Sequence, residues 1–308
     1  MTTQIIFSKP RFIKSFFFVC SVFTFPGLYA QSYDSLNLLE GHKAQVYYSS
    51  GAEIKARRMA DQLDRVINFY TENFEFTPSV SVLILSKNDW NNYSKSVVYG
   101  MPHYTDKKTL IVAAENNSFW NSFIPPLEKL SKELAKLISE TYSDKNGGVT
   151  MEPFFDLLAI HELGHAYHKQ GGLFMQRNWM SEVFVNIFLH SYVAEKEPNL
   201  LPALTIFPQM VVSNTNTADL KYTSLKDLEA FYNEIAQKYP QNYGWYQCRW
   251  HMEAGKIYDT GGLEIIKKLW SALKDQKSSL DDSALATLLS EKVHQSVADV
   301  LLKWETSK

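Results

Sequence analysis

The chain has 308 residues and a formal net charge of −2 at pH 7, with 31 Lys and Arg residues against 33 Asp and Glu residues. This balance gives no support to a nucleic-acid or anionic-membrane partner, because such partners are bound by clusters of positive charge. The length is sufficient for one large domain, or two closely packed lobes, with a substantial hydrophobic core, and no internal repeat indicates a solenoid.

The first 30 residues have the pattern of a secretory signal peptide. Basic residues precede an apolar run over 16–28, and small residues follow near a cleavage point. We expect cleavage after Ala30 and export to the periplasm or the medium, with an uncleaved N-terminal anchor as the alternative. Removal takes away three basic and no acidic residues, which moves the net charge from −2 to −5 and leaves Cys248 as the only cysteine. No later apolar stretch is long enough to span a membrane, so no membrane span is expected in the mature form.

Residues 31–149 alternate between strand and helix patterns, which predicts an α/β N-terminal lobe with a small mixed sheet. The predicted strands cover 45–49, 80–85, 99–104 and 109–114. The predicted helices cover 52–74, a short segment near 89–93, and 126–142. A polar, glycine-containing segment at 143–148 then leads into the next helix.

That next helix contains the pattern H-E-x-x-H, from His161 to His165. It begins near Glu152 and Pro153, which suit a first helical turn, and it ends at Gly171. Residues four apart share one helix face, so the two histidines can present imidazoles to one metal ion, with Glu162 beside them. Two nitrogen ligands and a carboxylate that takes a proton from water are what a hydrolytic zinc site requires. The alternative is an ordinary buried helix whose histidines form hydrogen bonds within the core.

A catalytic zinc has three protein ligands and one open position, so one more ligand is required. The longer pattern H-E-x-x-H-x-x-G-x-x-H would place its third histidine at Gly171, which excludes that pattern. His168, nearly one turn after His165, is poorly placed to complete the coordination. We expect it to be solvated or to contact a ligand.

Glu182 is the best candidate for the third ligand. It belongs to a predicted helix from about 178 to 194 and has apolar neighbours, among which an unpaired carboxylate would be costly. A metal ion is a suitable partner for a buried carboxylate. Asn186 follows one turn later, where its side-chain carbonyl can accept the second N–H of a ligand histidine.

The segment from His161 to Ala166, together with Trp179-Met180-Ser181-Glu182, resembles the gluzincins. These zinc peptidases include thermolysin and the large zinc aminopeptidases. The resemblance implies that His161, His165 and Glu182 bind one Zn²⁺ per chain and that Glu162 is the general base. It also implies an N-terminal sheet whose edge strand binds an extended peptide. We assign that role to the strand around 111–115, with an ordinary edge strand as the alternative.

After Pro198 the chain is predicted to be almost wholly helical. The predicted helices cover about 224–238, 240–262, 263–275, 281–291 and 295–304. The expected fold class is therefore α+β, with a small mixed β-sheet in the N-terminal lobe (31–149) followed by a mainly α-helical catalytic lobe (150–308), the two forming one integrated unit. In gluzincins, a Tyr or His of the second lobe stabilises the oxyanion. Tyr246, Tyr243 and His251 are the candidates here, and the alternative for the tyrosines is simple packing.

Together these expectations describe an exported zinc metallopeptidase that acts on a peptide or protein. Glu162 would deprotonate water for attack on the peptide carbonyl and later pass the proton to the leaving amine. A zinc-binding protein without catalytic activity, or a hydrolase of other bonds with the same fold, is the alternative. The oligomeric state and the natural substrate do not follow from the sequence.

Overall fold

A computed structural model describes residues 33–94, 96, 98–106, 108–144 and 146–306. The predicted signal peptide at 1–30 lies outside the described residues. The described residues from Ser35 to Thr306 belong to one compact unit. Among the described helices, none is long and apolar enough to cross a membrane.

The N-terminal part contains a mixed sheet of five strands. They are β1 (Asn37–Leu39), β2 (Gln45–Tyr48), β3 (Ser81–Leu85), β4 (His103–Tyr104) and β5 (Thr109–Ala113). Their order is β1-β2-β3-β5-β4, in which β2, β3 and β5 are parallel to one another, while β1 and β4 are antiparallel edge strands. Strands β3 and β5 are almost wholly apolar and buried, as is typical of central strands covered on both faces.

The prediction that the strand around 111–115 lies at the sheet edge is wrong. Strand β5 is paired on both sides, with β3 and with β4, and all five of its residues are buried. The edge strand on that side is β4, whose His103 and Tyr104 are only half-buried. A continuous apolar run without alternating polar residues indicates a central strand, and that signal outweighs the resemblance.

Helices make up most of the rest of the chain. They are α1 (Glu53–Phe74), α2 (Lys87–Tyr93), α3 (Ser118–Asn121), α4 (Lys132–Thr141), α5 (Glu152–Gln170), α6 (Asn178–Lys196), α7 (Leu201–Asn214), α8 (Leu225–Lys238), α9 (Pro240–Gly261), α10 (Leu263–Asp275), α11 (Asp282–Leu288) and α12 (Gln295–Lys303). Short 3-10 turns lie at Leu127–Lys129, Pro198–Leu200 and Thr217–Asp219, and a π turn lies at Leu289–Val293. The predicted α+β class, with a small mixed sheet followed by helices, is confirmed.

The predicted helix over 126–142 is divided in the structure. A 3-10 turn at Leu127–Lys129 comes first, and α4 begins only after Ser131. The Ser131 hydroxyl accepts the backbone N–H of Leu134, which is the contact of a helix N-cap. This cap starts a new helix at a point where apolar spacing alone suggested one continuous helix.

Helix α5 is the central element, and α6 packs against it at close range. Pro153 lies in its first turn, and it ends at Gly171, followed by Gly172 in the left-handed region (φ +71°). At Gly164 an added Cβ would lie 3.0 Å from Val185 Cγ1 of α6. The glycine between the two histidines therefore lets the helices approach closely.

A buried ion-pair network connects the N-terminal end of α5 to α1. Lys55, only 8% exposed, pairs with Asp156 and lies 2.7 Å from a carboxylate oxygen of Glu152. Arg58 lies 2.8 Å from Asp156 on the same side. Charged groups that are buried and paired in this way would be costly to separate, so the network holds α5 against the N-terminal part.

Candidate metal centre

Three side chains converge where α5 and α6 face each other. His161 and His165 lie one turn apart on α5, and Glu182 lies in the second turn of α6. The Nε2 atom of His161 is 3.5 Å from Oε2 of Glu182, and Nε2 of His165 is 3.9 Å from Oε1. One ligand atom from each residue lies within 4.8 Å of the others. The structure thus brings together the three residues that the sequence indicated.

This set of donor atoms fits a zinc ion. Bonds of 2.0–2.1 Å in a tetrahedral site would separate ligand atoms by about 3.3 Å, close to the 3.5 and 3.9 Å found here. Among the described residues, no Lys or Arg forms an ion pair with Glu182, although its side chain is buried. A divalent cation would supply the missing positive charge, and two imidazoles with one carboxylate suit zinc.

Burial and mutual contact set the protonation of the three residues. Burial lowers the pKa of His165 to about 3, which keeps its imidazole neutral. Burial opposes the charge of Glu182, but the hydrogen bond with His161 and the nearby imidazoles lower its pKa below the ordinary value. For His161 burial acts in the opposite direction, and the contact with Glu182 together with the charge of Glu162 raises its pKa. These directions favour an ionised Glu182 beside His161, and metal binding would require a neutral His161 imidazole.

Two further side chains lie close to the candidate ligands. Nδ1 of His165 lies 3.0 Å from Nε2 of His168, so His168 contacts a candidate ligand; it is buried, and the expectation of a solvated residue is wrong. Asn186 donates to the backbone carbonyl of Glu182 (2.9 Å), which leaves its Oδ1 free. Within the described residues, Asn186 Oδ1 and His161 Nδ1 are buried and have no hydrogen-bond partner. The Asn186 side chain also makes a small contribution to the raised pKa of His161. The amide is therefore suitably located to accept the second N–H of His161.

Glu162 is half-buried and lines the same cavity as the three residues. Burial, assisted by the charge of Glu182, raises the pKa of Glu162 to about 7, against a smaller opposing effect of His161. A carboxyl group with a pKa near neutrality can both accept and return a proton. That property suits a general base beside a metal ion.

The two tyrosine candidates on α9 have different surroundings. Tyr243 lines the cavity, and its hydroxyl accepts a hydrogen bond from Gln247 (3.0 Å). Tyr246 is fully buried on the neighbouring face, where its hydroxyl donates to the Ser224 carbonyl (2.7 Å) and its ring stacks on Trp304. The two residues are only three positions apart on the helix, but their hydroxyl groups have different partners. The structure does not bring Tyr246 to the cluster.

Two residues that the sequence analysis did not single out contact Glu182 directly. The Tyr232 hydroxyl on α8 donates to Oε1 (3.2 Å), and the Gln247 amide on α9 donates to Oε2 (3.0 Å). Gln247 lies four residues after Tyr243, so helical spacing could have indicated it. No pattern in the sequence marks Tyr232. His251, another residue on this face of α9, has its ring 6.3 Å from that of His161.

The cluster opens into a cavity of about 1210 Å³. One side of it, called here the aromatic wall, is formed by phenylalanines from α3, α5, α7 and the segment after α3. They are Phe119, Phe123, Phe154, Phe155 and Phe207. Neighbouring rings in the wall lie 5.0–5.7 Å apart, and Phe154 also lies 5.5 Å from the ring of His251, so the wall is continuous with the cluster. Polar residues such as Asn178, Gln237 and Gln241 line other parts of the cavity.

The arrangement can hold a divalent cation, deprotonate water with Glu162, and offer a phenol from Tyr243 to a developing negative charge. No protein-family model matches the chain, and no curated protein matches it at a significant level. The resemblance to gluzincins therefore depends on residues 161–186.

Proposed function

We propose that this protein is a zinc-dependent metallopeptidase. The observation that carries the proposal is the convergence of His161, His165 and Glu182, with one ligand atom of each within 4.8 Å of the others, in a cavity that also contains Glu162. A purely structural metal site has no need of a second carboxylate on the cavity side. The sequence pattern H-E-x-x-H and the downstream glutamate support the same function.

The chemistry assigned to the chain follows from these side chains. Glu162 accepts a proton from water, which then attacks the peptide carbonyl, and passes that proton to the leaving amine. His161, His165 and Glu182 would hold the zinc ion, which would supply a Lewis acid for the carbonyl and for the attacking water. The oxygen of Tyr243 already accepts the Gln247 N–H, so its own proton is available to the carbonyl oxygen as negative charge develops.

The substrate class is a peptide or a protein segment. A cavity of about 1210 Å³, with an aromatic side and polar stretches, has room for several residues of an extended chain. We also propose that the protein acts after export, because residues 1–30 have the signal-peptide pattern described above.

The metal content of the purified protein, without residues 1–30, tests the first half of this proposal. We expect one zinc per chain in the wild type and greatly weakened binding in Glu182→Ala. Glu72→Ala, at an exposed glutamate on α1, is the matched control and should retain the metal. Absence of bound zinc after reconstitution would contradict the proposed metal site and the peptidase function together.

Peptide hydrolysis tests the second half. Cleavage of a mixed peptide library should depend on added zinc and should fall by about 10²–10⁴-fold in Glu162→Gln, which cannot accept the proton. The zinc content of that variant should stay at one per chain. Zinc binding without any cleavage in the wild type would favour a non-catalytic zinc protein or a hydrolase of other bonds.

A further inference from the structure

The carboxylate of Glu182 has neighbours on three helices. The histidines of α5 contact it, and Tyr232 of α8 and Gln247 of α9 donate hydrogen bonds to it. We propose that Tyr232 and Gln247, called here the Glu182 clamp, are positioning residues that fix the orientation of Glu182 for metal binding. This inference rests on the proposed zinc site and adds to it two residues outside the H-E-x-x-H pattern.

Each carboxylate oxygen has one clamp donor and one histidine. Oε1 accepts from Tyr232 at 3.2 Å and faces His165 at 3.9 Å. Oε2 accepts from Gln247 at 3.0 Å and faces His161 at 3.5 Å. An ionised carboxylate has about four lone-pair sites, so both oxygens can accept these bonds and still offer a lone pair to a cation. Two donors on separate oxygens also restrict rotation of the carboxylate plane.

The chemistry of the clamp suits a metal ligand. Glu182 is only 5% exposed, so its carboxylate needs hydrogen bonds to replace lost water. The hydroxyl of Tyr232 and the amide of Gln247 provide them without carrying positive charge. A Lys or Arg in the same place would neutralise the carboxylate and reduce its attraction for a cation. The clamp therefore gives each carboxylate oxygen a hydrogen bond without neutralising its negative charge, which stays available to attract a metal ion.

Both clamp residues are held in place by their own elements. The backbone of α8 leaves helical geometry at Phe231 (φ −128°, ψ 23°), directly before Tyr232, so a kink precedes the residue that contacts Glu182. The start of α8 is fixed by a capping box at Ser224, whose carbonyl accepts the hydroxyl of Tyr246 from α9. Gln247 is oriented because its amide also donates to Tyr243. Helices α8 and α9 thus present the two donors together.

Zinc affinity tests the clamp directly. Competition with a chromophoric chelator would give Kd for the wild type, Tyr232→Phe and Gln247→Leu. Each variant removes one hydrogen bond to the carboxylate, and we expect its Kd to rise about 10- to 100-fold, the usual effect of losing a group that orients a metal ligand. The matched controls are Gln209→Leu, on the exposed face of α7, and Tyr258→Phe, whose hydroxyl contacts Glu195. Both should keep the wild-type Kd.

Cobalt substitution provides a readout that a merely structural role would not change. The visible absorption of bound Co²⁺ depends on ligand geometry, so it should shift in both clamp variants and remain unchanged in the controls. Tyr232→Phe removes a single oxygen atom, and its thermal unfolding without metal shows whether the fold is kept. Zinc binding by the wild type with unchanged Kd and spectra in both variants would overturn the clamp alone. Failure of the wild type to bind zinc would overturn the clamp and the proposed function together.

Discussion

Tyr243 and Tyr246 lie less than one helical turn apart on α9, and their hydroxyl groups have different partners. The hydroxyl of Tyr243 lies in the cavity beside Gln247, while that of Tyr246 is bonded to a backbone carbonyl of Ser224 at the start of α8. The first can reach a substrate, and the second connects two helices. Replacing each tyrosine by phenylalanine removes only its hydroxyl oxygen. The two variants therefore distinguish an effect on the proposed catalysis from an effect on stability.

We expect Tyr243→Phe to lower kcat by about 10²–10³-fold, the usual effect of removing one oxyanion donor, with zinc content unchanged. Tyr246→Phe should leave kcat unchanged and lower the free energy of unfolding by about 1 kcal/mol, because one internal hydrogen bond is lost. Steady-state kinetics on a cleaved peptide and urea denaturation measure the two quantities. Equal losses of kcat in both variants would contradict this division of roles.

Helical spacing and the apolar surroundings of one acid allowed part of the site to be predicted from the sequence. His161 and His165 are one turn apart, and Glu182 stands out as an acid among apolar neighbours. Tyr243 and Tyr246 could not be distinguished from the sequence, because it does not show which side of α9 lines the cavity. Tyr232 could not be found at all, since the kink before it is a tertiary feature.

Among the elements, the pair α5 and α6 determines the separation of the ligands. Gly164 lies between the two histidines at the point where an added Cβ would be 3.0 Å from Val185 Cγ1 and 3.3 Å from Phe188 Cδ1. A larger side chain there must push α6, and Glu182 with it, away from α5. Close-packed interiors do not absorb such an insertion without strain.

We therefore expect Gly164→Leu to lower the free energy of unfolding by about 1–3 kcal/mol or more and to weaken zinc binding as well. Chemical denaturation and chelator competition measure the two effects. Ala284→Leu, at an exposed position of α11 that does not line the cavity, is the matched control. A Gly164→Leu protein with wild-type stability and zinc affinity would show that the close approach of the helices has no role in the site.

The sequence located most elements of the fold. Strong periodicity or continuous apolar runs predicted α1, β3, α5, α6 and α9 close to their observed limits. Two errors had different causes. The Ser131 cap, a short polar contact that hydrophobic spacing does not show, begins α4 after a 3-10 turn. The edge role of β5 came from the resemblance, whereas its continuous apolar run indicated the central position that the pairing with β4 gives it.

The cavity has an aromatic side and polar stretches, and this difference predicts which peptides are preferred as substrates. The aromatic wall presents five phenylalanine rings beside the candidate metal site, and apolar surface of this kind binds large apolar side chains. We expect peptides with aromatic or branched aliphatic residues near the cleaved bond to be preferred. Phe123→Ala should lower kcat/KM for such peptides by about 10-fold or more, since it removes apolar contact worth at least 1–3 kcal/mol.

Cleavage of paired peptides that differ only in an alanine or a phenylalanine next to the cleaved bond measures this preference. Phe174→Ala is the matched control, because Phe174 is 37% exposed on the surface and does not line the cavity. It should keep the wild-type ratio of kcat/KM values. A ratio that is the same for the wild type and Phe123→Ala would show that the aromatic wall does not contact the substrate side chain.

The connection between α5 and α6 also determines the order in which the site can form. The three candidate ligands lie on these consecutive helices, whereas Tyr232 and Gln247 lie 50 and 65 residues beyond Glu182. Joining two helices across a short loop costs little chain entropy, while the later helices must find the same place over a much longer separation. During folding, a metal ion that binds as proposed would therefore meet its three ligands first on a local helical hairpin. Its full affinity would be reached only when α8 and α9 dock, which would make metal capture and metal retention separate stages of folding.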